Sequence, residues 1–212
     1  MGLVDLVLHL DVHLLQLVRD YGAWTYAVLF AIIFSETGFV VTPFLPGDSL
    51  LFVAGAIAAG GALDVHVLAV LLVAAAILGN STNYAIGRWF GRRFFTQAGS
   101  RWLNPAHLYR AHAFYERHGG KAVVLSRFLP IVRTYIPFVA GMAQMPPARF
   151  TAYNALGAAA WAGALTYAGY FFGNIPWVRR NLTLLIVGII VVSLVPLGVA
   201  FMRSRMAARA GS

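Results

Sequence analysis

The sequence predicts an all-α integral membrane protein, an inverted repeat of a re-entrant helical hairpin plus a transmembrane helix, with an extra C-terminal transmembrane helix. Three observations carry that prediction. Hydrophobic residues make up 60% of the 212 and charged residues 11%. With a mean hydropathy of +0.74, this lies well outside the composition of soluble domains. Apolar residues gather into runs long enough to cross a bilayer, at 65–86, 150–173 and 182–202. Two further apolar regions are half-length runs flanking turns rich in proline, glycine and charge, and the two regions share a pattern.

Taken in order, residues 3–19 alternate Leu and Val with Asp5, His9, Asp11, His13 and Gln16. That is a helix with a polar face, suited to the interface or the bundle edge. Tyr21-Gly22 ends it. The first basic residue is Arg19, so no cationic leader precedes an apolar stretch and no cleaved signal peptide is expected. Residues 23–34 form an apolar run short of the roughly 20 needed to span. Turn and polar residues 35–49 follow, then a second short run, 50–63. Such a shape reads as a re-entrant hairpin, tolerated at membrane depth only where protein or water satisfies the open backbone.

Residues 65–86 read as a span, with Asn80, Ser81, Thr82 and Asn83 on its later turns. These polar groups suit hydrogen bonding between helices or the lining of a cavity. Asn104-Pro105 supplies an N-cap and first-turn proline, and Gly119-Gly120 a stop, for a short amphipathic helix on the cytoplasmic surface. Residues 122–145 repeat the half-length pattern, broken at Pro130 and Pro137 and ended by Pro146-Pro147. Because proline removes a backbone donor, Arg127 and Arg133 need not share one continuous helical face. Residues 150–173 and 182–202 are full spans, the latter kinked at Pro196.

An internal repeat organises these elements. Phe52-Val53-Ala54-Gly55 recurs as Phe138-Val139-Ala140-Gly141, each after a charged turn, and Tyr84-Ala85 ending in Gly91 recurs as Tyr167-Ala168 ending in Gly173. One span separates the hairpins, so the second enters from the opposite side, as in transporters with broken helices at a midplane site. The predicted units are an N-terminal helix (1–20), repeat 1 (21–91), a basic loop with its surface helix (92–120), repeat 2 (121–176), a last span (177–202) and a basic tail (203–212).

The net charge of +9 does not point to nucleic acid, because the basic residues sit between apolar runs. Arg88, Arg92, Arg93, Arg101, Arg110, Arg117 and Lys121 form one group, and Arg203, Arg205 and Arg209 the tail. The positive-inside rule places both in the cytoplasm, near anionic headgroups. The hairpin count puts Arg179 and Arg180 on the outer side, against that trend. With no cysteine, disulfides, thiolate metal sites and thiol catalysis are excluded. His107, His112 and His118 do not share the i, i+4 face of a metal pair. No metal and no cofactor are implied.

Four charges stand where lipid should reject them. Glu36 lies in Ser35-Glu36-Thr37-Gly38, Asp48 in Pro46-Gly47-Asp48, and Arg127 and Arg133 in the stretch from Ser126 to Pro137. Each would cost roughly 3 kcal/mol at bilayer depth if unpaired. The economical reading is one protein-lined cavity where two carboxylates meet two arginines. Arginine stays charged and offers a planar fork that suits phosphate oxygens, so Arg127 and Arg133 are the candidate substrate-binding pair. Glu36 and Asp48 are the candidate charge-pairing and proton-coupling residues, able to neutralise the empty site. A purely structural salt-bridge network is the competing interpretation.

The set Glu36-Thr37-Gly38, Pro43, Pro46-Gly47-Asp48, Phe52 to Gly55, Tyr84, Ile86-Gly87-Arg88, Gly91, Arg127-Phe128, Pro130, Arg133, Pro137 and Ala140-Gly141 resembles the DedA family of membrane proteins over roughly residues 20 to 175. One departure is Gly79-Asn80, where many relatives have Gly-Asp. The resemblance implies a multi-pass protein of the bacterial inner membrane that moves lipid and is not an enzyme. Its expected substrate is an anionic lipid, undecaprenyl phosphate first and phospholipid second, and coupling to protons is left open. It also implies that Glu36, Asp48, Arg127 and Arg133 are the functional set. The alternatives are a phospholipid scramblase, a proton-dependent transporter of small solutes or cations, and, more remotely, a lipid-phosphate phosphatase. The last would need a nucleophile, commonly His, inside the membrane site, whereas every histidine falls in a terminal, loop or surface segment. Oligomeric state is left open.

Overall fold

The computed structural model describes residues 10–39, 47–96, 105–180 and 188, and every regular element among them is helical. The expected span 182–202 (Gly188 apart), the basic tail, the start of the N-terminal helix, the turn at Pro43 and Pro46, and Arg101, Trp102 and Asn104 lie outside the described residues.

Helix α1 (Leu10–Tyr21) stops at Gly22, whose φ of 52° is one that glycine adopts freely. Helix α2 (Trp24–Gly38) runs on through Ser35, Glu36 and Thr37, where the sequence pattern placed a turn. Thr37 Oγ1 donates to Ile33 O at 2.8 Å within the same helix, so a buried hydroxyl sits there without an open donor. Helix α3 (Gly47–Ala58) starts immediately before Asp48. Helix α4 (Val65–Thr96) is longer than the expected span and carries Gly87, Arg88 and Gly91 along with it. Its start is capped by Asp64 Oδ1, which accepts from the N–H groups of His66 at 2.8 Å and Val67 at 2.9 Å. Those two bonds hold the Asp64 carboxyl below its usual range. Among the described residues, 65–90 is the helical stretch long and apolar enough to cross a membrane.

Helix α5 (Pro105–His118) begins at its proline and ends before Gly119 at φ 56°, as expected. Helix α6 (Lys121–Leu125) tightens into a 3₁₀ turn, Ser126–Phe128, and Leu129 is extended ahead of Pro130. Pro130 opens helix α7 (Pro130–Met142) at its first turn, and Pro137 lies inside that helix without ending it. This corrects the expected second break. Arg127 and Arg133 do fall on separate helical pieces. Helix α8 (Pro147–Ala158) passes through a π-helical turn, Ala159–Gly163, into α9 (Ala164–Gly173), and a short α10 (Pro176–Arg180) follows.

Among the described residues two apolar cores hold the bundle. One gathers Leu29, Ile33, Leu51, Val53, Leu68 and Leu72, the other Val123, Ile136, Phe138, Val139 and Phe150. Val70, Leu78, Leu156 and Phe171 point outward from the long helices, the apolar exterior that lipid requires. Packing follows a matched pattern: α3 lies along α9, and α7 along α4. A side chain at Gly55 would strike the carbonyl of Thr166, and one at Gly169 the carbonyl of Phe52. In the other crossing, Gly141 lies against the carbonyl of Tyr84 and Gly87 against that of Phe138. Both crossings therefore use the small residues expected to admit close helix contact. By these contacts Thr166, not Tyr167, stands where Tyr84 does, so the tyrosines of the sequence repeat are offset by one while its glycines align.

Candidate functional site

Glu36 comes from the last turn of α2 and Asp48 from the first turn of α3, both helices of the first core. Arg127 comes from the 3₁₀ turn and Arg133 from α7, on the side of the second core. The fold brings all four sequence-predicted residues together. Arg133 Nη1 donates to Asp48 Oδ1 at 2.7 Å, and Arg133 Nη2 to Glu36 Oε1. One guanidinium fork thus bridges two carboxylates from different helices, one charge-assisted bond to each. Glu36 is 1% exposed and the Arg133 side chain 12%. The remaining Glu36 oxygen, Oε2, has no hydrogen-bond partner among the described residues. It rests against Gly47, where any Cβ would overlap the carboxylate. A larger residue at Gly47, the first of α3, would have to push that carboxylate aside.

Arg127 is placed differently. Its Nη2 donates to Asn154 Oδ1 at 2.7 Å and to Ala76 O at 3.3 Å. With the Asn80 amide turned to donate to Thr37 O at 3.2 Å, the Asn80 oxygen accepts from the same Nη2 at 2.9 Å. No carboxylate pairs with Arg127 among the described residues, and its buried Nε lacks a partner. Asn154 also donates to Ile77 O at 3.0 Å, tying α8 to α4.

Trp161 completes the group. Its indole Nε1 donates to Asp48 Oδ1 at 2.9 Å, and the guanidinium carbons of Arg133 and Arg127 lie over its ring at 5.1 Å and 5.6 Å. Desolvated cation–π contacts of this kind contribute about 2 kcal/mol. The π-helical turn carries Trp161 inward, and such turns recur at functional sites. Glu36, Thr37, Asn80, Arg127, Arg133, Thr134 and Trp161 line a cavity of about 10 Å³. That is room for about one water molecule, not for a phosphate group.

Trp161 and Asn154 were not singled out by the sequence pattern. A signal existed: Trp161 is the tryptophan placed mid-span, whereas Trp24, Trp89 and Trp177 are strongly exposed, as interfacial anchors should be. Of the polar residues on α4, Asn80 lines the cavity, and Asn83 donates to Thr134 O at 2.8 Å across helices. Thr82 donates within its own helix, to Leu78 O at 3.0 Å. Among the described residues no cluster of potential metal ligands occurs.

Comparison with known proteins gives a consistent answer. Residues 45–171 match the VTT domain. The chain is 56% identical to Protein DedA of Escherichia coli K12 over 208 residues, covering 97% of this chain and 95% of that one. It is 42% identical over 165 residues to an uncharacterized membrane protein of Mycobacterium leprae, covering 78% and 74%. It is 40% identical over 154 residues to the inner membrane protein YqjA of E. coli, covering 71% and 69%. No solved structure matches. A helical bundle with an apolar exterior, a buried cluster of two carboxylates and two arginines, and relatives of this closeness have one common explanation: the chain belongs to the DedA family of VTT-domain proteins and resides in the bacterial inner membrane.

Proposed function

We propose that this protein moves an anionic lipid between leaflets, undecaprenyl phosphate foremost, with Arg127 and Arg133 receiving the phosphate and Glu36 and Asp48 holding the empty site neutral. One observation carries the reading: Arg127, Arg133 and Glu36, from three separate helical pieces, line one buried cavity, and Asp48 from a fourth joins them through its bond with Arg133. Buried charges at such depth are a functional-site hypothesis by default. On this reading the chain is an inverted repeat of re-entrant hairpin plus transmembrane helix, divided at the boundaries read from the sequence. The matched glycine crossings of α3 on α9 and α7 on α4 support it. The small cavity belongs to a closed state, and lipid entry requires Arg133 to exchange a carboxylate for phosphate. Proton uptake by a released carboxyl is the natural source of coupling.

The test is leaflet-resolved transport by purified protein in vesicles, comparing undecaprenyl phosphate with phosphatidylglycerol and phosphatidylethanolamine. Undecaprenyl phosphate is expected to move at least tenfold faster, and Arg133→Ala to abolish the movement. Equal rates for all three lipids would instead identify a scramblase. A structural second reading is favoured by the double salt bridge of Arg133, since removing it leaves buried carboxylates unpaired. Under that reading Arg133→Ala fails to accumulate in the membrane at all.

A further inference from the structure

Arg127 and Arg133 line the same cavity but differ in what they hydrogen-bond. Both nitrogens of the Arg133 fork are taken by carboxylates. Arg127 is held by neutral oxygens alone, those of Asn154, Ala76 and Asn80, and is 3% exposed with Nε unpartnered among the described residues. Amide oxygens fix the orientation of a guanidinium while leaving its charge uncompensated at hydrogen-bond distance, so an incoming anion has no competitor there. At Arg133 the same anion must displace a charge-assisted bond already made. Trp161 lies against both guanidiniums and hydrogen-bonds Asp48, so the two arginines sit on one shared support.

We infer that the arginines occupy successive stations in one phosphomonoester site: Arg127 is the standing receptor for the first phosphate oxygen, and Arg133 is a latch that Glu36 and Asp48 hold shut until the bound anion competes it away. The inference rests on the lipid-phosphate reading and assigns the order of events within it. The carboxylates then serve as the resting ligands of Arg133 alone. Removing Arg127 weakens capture. Removing the latch leaves capture and abolishes passage.

The experiment titrates the purified full chain in dodecyl maltoside with dodecyl phosphate, reading the rise in thermal midpoint that a ligand of the folded state produces, and runs vesicle transport on the same variants. Arg127→Gln is expected to weaken dodecyl phosphate at least tenfold. The double variant Arg133→Gln with Asp48→Asn, which removes one charge of each sign, is expected to weaken it no more than threefold while losing transport as completely. Equal losses of binding in the two, or the larger loss in the double variant, overturn the assignment. Where Arg127→Gln does not fold, Arg127→Lys keeps the charge without the fork and is still expected to bind more weakly than the double variant. Inorganic phosphate is the second probe and should bind at least tenfold more weakly than dodecyl phosphate. No stabilisation of the wild-type chain by either probe overturns the lipid-phosphate reading itself and the order of stations with it. Equal binding of the two probes overturns the lipid part alone.

Discussion

The crossing of α3 on α9 and that of α7 on α4 share a backbone geometry but not a chemistry. In each, two glycines let one helix rest on the carbonyls of the other. Around α7 and α4 that contact is pinned by polar bonds. Arg88 Nη1 donates to Tyr84 Oη at 2.8 Å and to Met145 O at 3.0 Å, Tyr84 Oη donates to Met145 O, and Asn83 reaches Thr134 O. Tyr84 also stacks on Phe150 with centroids 4.2 Å apart. In the α3–α9 contact Leu165 and Tyr170 stand in the places of Asn83 and Arg88, and the Thr166 hydroxyl that stands where Tyr84 does is buried with no hydrogen-bond partner among the described residues. Close packing alone sets the geometry; hydrogen bonds decide how firmly a crossing is fixed.

Enlarging the glycines gives the largest expected effect. Gly87→Leu and Gly169→Leu each push backbone against backbone and should destabilise by about 3 kcal/mol, measured as resistance to unfolding in mixed detergent. If Gly169→Leu is tolerated and Gly87→Leu is not, the two crossings are not equally tight, and the shared geometry is the weaker half of the comparison. Asn83→Leu should cost less, about 1 kcal/mol by the modest worth of hydrogen bonds between membrane helices, and should loosen α7 alone. Hydrogen exchange at α7 amides reads this directly: faster exchange there with α3 unchanged is the expected pattern, and uniform change across both would erase the distinction. The smallest effect belongs to Thr166→Val. A hydroxyl without a partner contributes no bond to lose, so stability should hold within about 0.5 kcal/mol or rise. A loss above about 1 kcal/mol would show that the α3–α9 crossing also carries a polar pin.

Much of this architecture was legible from hydropathy and spacing, because lipid punishes polar surface so consistently. Pro105 and Gly119 bounded α5 as read, and the repeat of Phe52 to Gly55 as Phe138 to Gly141 brings Gly55 and Gly141 to the two crossings. The four charged residues stood out as charges inside apolar stretches and as the set that the family resemblance implies. What escaped depends on helical phase, which hydropathy does not encode. Ser35, Glu36 and Thr37 read as a turn because they are polar, yet Thr37 satisfies its hydroxyl within α2 and Glu36 meets Arg133. Pro137 read as a break, yet α7 continues through it. Asn154 and Trp161 are ordinary letters in an apolar run until α8 and its π turn aim them at the arginines.

The π turn has a consequence for the arithmetic of that helix. Each residue advances an α-helix by roughly 100°, so one extra residue held in a widened turn shifts the phase of everything beyond it without lengthening the turn count. Upstream, α8 must aim Asn154 at Arg127; downstream, α9 must keep Gly169 and Gly173 against Phe52 and Ala56. The widened turn lets one continuous rod serve both directions at once. Deleting Ala159 or Ala160, two exposed residues with no bulk to lose, would restore regular winding and turn one end of the rod away from its partner: a single small residue sets the angle between the charged site and the helix crossing that encloses it.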